Sequence, residues 1–357
     1  MSGALQPLVI EPKETTAIWG GDALVRVYGK NGNPSEKLGE SWECWDENRV
    51  RGGAFAGRTI ASLRAELGSR LVGRLDPESI FPVLTKIIDA RQSLSVQVHP
   101  DDAYARRVER QPNGKTECWV ILSAREDAEL VLGWTKQTDR AEYERRVADG
   151  TLGEILRRVR VKPNDAFYLP SGTLHAIGAG IQLFETQQAS DLTYRIFDWN
   201  RVGPDGKPRQ LHVERAADVL DYRTGTTVQT LHLHYVVEGV ACETYISDPR
   251  FVVERMSVPS RAGTLRPDGE PLILMTTQRG MWLEVDGLVT SLEPWTTALV
   301  PAEVSQATLR AGDGEAASAL VVTPDRDVFL RRIERAGVPA AEKERFLHQF
   351  GSVSATI

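Results

Sequence analysis

Two of the six histidines in this chain stand where strand alternation brings other metal-binding side chains to the same face. In "LSVQVHP" (residues 94–100), Ser95, Gln97 and His99 point one way, while Leu94, Val96 and Val98 point the other. In "GKTECWVIL" (114–122), the same alternation groups Lys115, Glu117, Trp119 and Ile121. In "FYLPSGTLHAIGAG" (167–180), a Pro-Ser-Gly corner delivers His175 to the start of the next strand, at the mouth of a barrel. Gln97, His99, Glu117 and His175 together offer an amide oxygen, a carboxylate and two imidazoles, a ligand set suited to zinc or another divalent first-row metal. None is a thiolate and water can complete the shell, so the set points to a catalytic rather than a structural ion. Taken singly, each histidine is as well explained by a satisfied core or loop position. Inward positions on separate strands are not explained that way.

A denser run follows in "GIQLFETQQASDLTYRIFDWNR" (180–201), which carries Glu185, Gln187, Asp191, Arg195, Asp198 and Arg201. Leu183, Phe184, Tyr194, Ile196, Phe197 and Trp199 are apolar on both faces, so these strands read as buried, and a buried charge needs a metal, a partner or a ligand.

The elements that must position these residues are mostly strands. Helical spacing of apolar residues occurs at 59–71, at 138–159 and in the tail at 326–337 and 340–351. The rest is short alternating runs punctuated by Gly, Pro, Asn and Asp, which predicts a mainly β barrel or sandwich decorated by helices. The last third has its own strand series, with turn chemistry at Asp286-Gly287 and Pro301-Ala302, and reads as a second small barrel after a boundary near 222–232. Gln306 occupies the place in the second barrel where the first has His175, so no second metal site is expected there. His232 and His234 share parity on one strand, but no carboxylate of matching parity stands nearby, and a structural role is expected for them.

Composition narrows the remaining classes. With 357 residues, 41% of them hydrophobic, the chain has ample material for a core. No run approaches the roughly 18 to 20 apolar residues of a membrane span, and the opening "MSGALQPLVIEPKETT" lacks signal-peptide features, so a soluble cytoplasmic protein is expected. Cys44, Cys118 and Cys242 are far apart with no CxxC pair, which argues against a disulfide framework or a cysteine zinc site. A net charge of -6 disfavours nucleic acid and anionic membranes as partners, while leaving room for a local basic pocket that takes an anionic small molecule.

The motifs "LSVQVHPDDAYA", "GKTECWVIL", "YLPSGTLHAIGAGI" and "ETQQASDLTYRIFDWNR", with "IWGG" (18–21) and "FPVLTKIIDA" (81–90) upstream, closely resemble the type I mannose-6-phosphate isomerases in their compact bacterial form. The resemblance runs from about Trp19 to His212 and continues less sharply through the second barrel. It implies a double cupin, two jelly-roll β-barrels in tandem with accessory α-helices: an N-terminal barrel over 1–225 that carries the active site, a second over 226–325 without metal, and a helical tail over 326–357. It also implies a metal-dependent aldose-ketose isomerase that interconverts mannose 6-phosphate and fructose 6-phosphate with one Zn2+ per chain, or another divalent first-row ion.

Carried over position by position, the family's metal ligands fall on Gln97, His99, Glu117 and His175, the four that alternation selects. The active-site arginine falls on Arg195, and an acidic site residue, the candidate proton carrier, on Glu185. Ser95, Lys115 and Arg201 match positions associated with the sugar phosphate. The expected partner is therefore a sugar phosphate, with the chain a monomer or homodimer. Asn164-Asp165 replaces the family's usual Gly-Asp, a change of turn residue only, and the tail beyond about Asp325 is longer than in the compact form. Two rivals share the ligand types. Iron oxygenases on cupin barrels use two histidines and a carboxylate, but the cationic cluster and Gln97 weigh against them. A cupin that only binds sugar would have little use for a full ligand set beside Arg195.

Overall fold

The computed structural model describes residues 5–202, 206–225, 228–259, 262–312 and 315–351. The chain is mainly β, and it divides into two compact units that interleave in sequence. One unit takes Glu14–Ser41 and Lys86–Thr230; the other takes the described residues up to Lys13, Trp42–Thr85 and those from Leu231 onward. Residues 226 and 227, where a boundary was expected, lie outside the described residues. No helix among the described residues is long and apolar enough to cross a membrane.

In the unit built on Lys86–Thr230, a five-stranded sheet runs in the order Tyr194–Phe197, Val96–Val98, His175–Ala176, Glu129–Trp134, Leu156–Arg160. Its apolar face, including Val96, Val98, Val131 and Ile196, packs on Tyr143, Ala216 and Ala217 from the helices Arg140–Ala148 and Val213–Val219. A second sheet in this unit sets Glu117–Ala124 between Ala166–Leu169 and Ile181–Gln188, all antiparallel. Trp119, Ile121, Phe167, Leu169 and Leu183 from that sheet join Leu130 and Leu132 from the first, and Ile177 just past its His175–Ala176 strand, in one core. With helices covering the Val96–Val98 face, the Gln97 side of the strand is left for the interior.

In the other unit, eight antiparallel strands include Leu233–Val237 at one edge, then Val240–Asp248 and Phe251–Val258. The hairpin at Asp286-Gly287 closes between Val285 and Leu288 with φ of 50° and 77°, the left-handed pair that a two-residue turn needs. The tail forms the helices Arg326–Arg335 and Ala340–Gly351 at the expected places. They pack on the edge strands through Val328, Phe329, Ile333 and Phe346. Arg332 reaches Glu254 in a buried ion pair, and Tyr235 and Thr244 donate to the same carboxylate at 2.6 and 2.9 Å.

Two expectations need correction. The helical passage at 138–159 is an α-helix over Arg140–Ala148, which Gly150 at φ 70° ends, and a short 3-10 helix over Leu152–Ile155, while its last residues form the strand Leu156–Arg160 paired with Glu129–Trp134. The passage at 59–71 is likewise broken at Gly68 into Ile60–Leu67 and Ser69–Val72.

Candidate metal centre

Strand register brings the four predicted ligands together. His175 is the direct partner of Gln97 across adjacent antiparallel strands, and their Nε2 atoms are 3.2 Å apart. Turning the Gln97 amide over puts its oxygen in the same place, since the two ends are isosteric. His99 lies one residue past the Val96–Val98 strand, and Glu117 opens the Glu117–Ala124 strand. One ligand atom each from His99, Glu117 and His175 lies within 4.8 Å of the others, and all three residues are buried.

Two glycines set these approaches. Gly172 stands at the corner before His175 with φ 86°, and its N–H donates to the His99 carbonyl at 2.9 Å. A Cβ on Gly114 would lie 2.4 Å from the Pro100 carbonyl oxygen, so only glycine lets the Lys115–Glu117 segment pass this close to His99.

Each imidazole is aimed by a backbone carbonyl. His99 donates from Nδ1 to Leu192 O at 2.8 Å and His175 from Nδ1 to Thr173 O at 2.9 Å, which turns both Nε2 atoms toward Glu117. His175 Nε2 is 3.2 Å from Glu117 Oε1, and His99 Nε2 is 3.5 Å from Oε2. Burial, with the Lys115 charge adding to it, drives His99 down to about 3, and burial also lowers His175, so both stay neutral as ligands must. For Glu117, burial favours the acid, but the Lys115 cation and the two histidines outweigh it and hold the carboxyl well below its usual range. His99 Nε2 and both Glu117 carboxylate oxygens are buried without a hydrogen-bond partner. An imidazole nitrogen and a carboxylate left in that condition, with His175 Nε2 beside them, fit a divalent cation.

Lys115 is buried with its ammonium 3.1 Å from Glu117 Oε2, in ion-pair range though out of hydrogen-bond alignment. Burial alone would lower its pKa, yet the charges of Glu117, Glu185 and Asp191 raise it. Ser95 is buried one alternation before Gln97. Glu185 pairs in register with Trp119, whose indole N–H donates to its Oε1 at 3.0 Å; the same indole meets the His175 ring edge-on at 5.3 Å. The second oxygen of Glu185 faces Lys86 at 3.6 Å, and Lys86 also meets Glu40 at 3.2 Å. Burial raises the Glu185 pKa against the opposing pull of Lys115.

Arg195 is the cross-strand partner of Gln97 on the side away from His175, which makes one row of Arg195, Gln97 and His175 across three strands. It donates to Gln210 O at 3.1 Å, while its buried Nε has no hydrogen-bond partner. Arg201 donates to Ser93 O at 2.7 Å and pairs with Asp198 at 2.5 Å. Asp198 also takes Arg209 at 2.6 Å.

Residues 8–136 match the model of the phosphomannose isomerase type I catalytic domain. The chain is 38% identical over 286 residues to the mannose-6-phosphate isomerase ManA of Bacillus subtilis, covering 79% of this chain and 88% of that protein. It belongs to the type I phosphomannose isomerase family. Another relative is the mannose-6-phosphate isomerase of Streptococcus mutans, 38% identical over 71% of this chain and 79% of its own. The crystal structure of the Bacillus subtilis mannose 6-phosphate isomerase superposes with a TM-score of 0.82 at 30% identity, covering 89% of this chain and 99% of that one. A zinc-bound mannose 6-phosphate isomerase at 15% identity shares the fold, with a TM-score of 0.70 over 90% of this chain and 100% of that one. The fold is therefore the cupin type of the phosphomannose isomerases.

Sequence reasoning missed three polar residues of this phosphomannose isomerase chain: Lys86, Glu40 and Arg209. Lys86 had a readable signal, since it interrupts the otherwise strand-like apolar run of "FPVLTKIIDA", and all eight residues of Val83–Ala90 are buried. Glu40 and Arg209 had none.

Proposed function

We infer that the chain interconverts mannose 6-phosphate and fructose 6-phosphate. The observation that carries this is the buried His99–Glu117–His175 cluster, with its unsatisfied ligand atoms, in a chain of this family. Gln97, His99, Glu117 and His175 would hold one zinc ion. A divalent ion there supplies Lewis-acid polarisation of the sugar oxygens.

Moving a carbonyl from C1 to C2 requires removal of a weakly acidic proton beside it, formation of an enediolate, and return of the proton to the neighbouring carbon. Arg195 contributes a fixed cation for the oxygen that gains charge. Its Nε, buried without a partner, is supportive of that role because nothing within the protein competes for it. Glu185 carries the proton: burial makes its carboxyl a better base than an exposed glutamate, and Trp119 and Lys86 hold it in place. Ser95, Lys115 and Arg201 receive the sugar phosphate, whose binding positions the reacting carbons.

Metal analysis coupled to an isomerase assay tests this reading, with oxygen uptake measured beside it. The expected result is about one tightly held divalent ion per chain and activity that chelation removes and zinc restores. His175→Ala should lose both ion and turnover. A His175→Ala protein with a full equivalent of metal and normal turnover would refute the site, and oxygen uptake would refute the reaction.

A further inference from the structure

His232 and His234 were expected to be structural because no carboxylate of matching parity stood near them in sequence. Strand pairing supplies one. His234, on the edge strand Leu233–Val237, is the direct cross-strand partner of Glu243 on Val240–Asp248. His232, two residues earlier on the same face, has Nδ1 2.8 Å from Glu243 Oε1. One ligand atom from each of the three lies within 4.8 Å of the others. Their neighbour Tyr245 completes the arrangement: its hydroxyl donates to Glu243 Oε2 at 3.2 Å, and its ring meets the His232 ring edge-on at 4.7 Å.

We propose that His232, His234 and Glu243 form a second binding site for a divalent first-row ion of the zinc class. Two imidazoles and a carboxylate on one face match the donor preference of such ions, and the exposure of His234 leaves water free to fill the fourth position. Tyr245 engages Oε2 and so orients the carboxylate with Oε1 toward the histidines, as the outer partners of metal ligands do. A simple His232–Glu243 ion pair accounts for two of the three residues and leaves His234 unexplained. Arg255, opposite Glu243 on the next strand, stacks its guanidinium over the Tyr245 ring at 5.9 Å. The site sits beside the tail anchor, where Gln349 accepts from Leu231 N at 2.6 Å and donates to Leu231 O at 3.1 Å. An ion here would clip the edge strand to its neighbour next to the point where the last helix already holds it.

The test is equilibrium dialysis of the holoenzyme against low-micromolar free Zn2+, followed by elemental analysis of wild type, His234→Ala, Glu243→Gln and His99→Ala. Wild type should hold one more equivalent than either His234→Ala or Glu243→Gln. Both variants should keep full isomerase activity, and zinc should raise the melting temperature of wild type but not theirs. His99→Ala should retain this equivalent whatever becomes of the buried site, which separates the two readings. Equal zinc content in wild type, His234→Ala and Glu243→Gln would overturn the proposal, as would an unchanged zinc-induced melting shift in His234→Ala.

Discussion

Arg195 and Gln97 face each other directly across two antiparallel strands, and Gln97 faces His175 across the next pair. The arginine is thus held at a fixed remove from the candidate metal ligands by sheet register. Arg195→Lys keeps the charge but loses the planar fork. The variant should fold, retain metal and bind substrate, yet lose roughly 100-fold or more in kcat, the scale of one positioned donor to a developing oxyanion. Steady-state kinetics with metal analysis reads this out. Near-normal kcat would remove Arg195 from the chemistry, and loss of metal would make it a structural residue.

Lys115 stands 3.1 Å from Glu117, so its charge bears on that carboxylate as well as on the phosphate role proposed for it. Lys115→Met should depress use of mannose 6-phosphate far more than any residual use of free mannose, because the role proposed for it is toward the phosphate. Comparing kcat/KM for the two sugars decides it. An equal loss for both would assign the lysine to Glu117 alone.

The two buried histidines give metal-free protein a particular acid response. His99 titrates at about 3 when folded and near the ordinary histidine value of about 6.5 when unfolded, so between these values only the unfolded chain takes up the proton. Stability is therefore fully present above about 6.5 and falls as pH drops toward 3. From pH 7 to pH 5 the loss from His99 is about 2 kcal/mol, and His175, shifted the same way, adds to it. Urea unfolding of chelator-stripped protein should show this decline, and His99→Gln should flatten it. Parallel curves for the two proteins would contradict the assignment.

In the other unit, Arg332→Ala would leave Glu254 as a buried, uncompensated charge beneath the tail helix. Removing one partner of such a pair costs about 3–5 kcal/mol. Denaturant titration should find a loss of that order, and a replacement of both residues, Glu254→Gln with Arg332→Met, should recover much of it. A loss under about 1 kcal/mol for the single variant would mean that Tyr235 and Thr244 alone keep the carboxylate satisfied.

Gln97, His99, Glu117 and His175 were legible because alternation within one strand is a local property, and ligand-type residues on an inward face are conspicuous against Val96 and Val98. Register is not local. Glu243 could be recognised as the partner of His234 only once the Leu233–Val237 and Val240–Asp248 strands were aligned. The same holds for the Lys86–Glu185 and Lys86–Glu40 contacts, which join residues far apart in sequence. At 152–156, Leu152–Ile155 form only a short 3-10 turn, and from Leu156 onward pairing with Glu129–Trp134 makes the segment a strand. Spacing proposed one structure there and tertiary pairing imposed another.

The interleaving of the two units has a consequence for how the chain is made. All residues of the unit that carries the candidate metal site have been synthesised once Thr230 is complete. The other unit cannot close at that point, because Leu8 near its start pairs with Leu299. At translation speeds of about 5–20 residues per second, roughly 15 to 60 s separate these two partners. Over the last part of that interval, from Thr230 to Leu299, the Leu8–Glu11 segment still lacks its Thr297–Val300 partner while the unit with the candidate metal site is already complete. A nascent chain stalled between Thr230 and Leu299 would therefore expose strand edges from one unit only, and those edges are where chaperone binding or aggregation would begin.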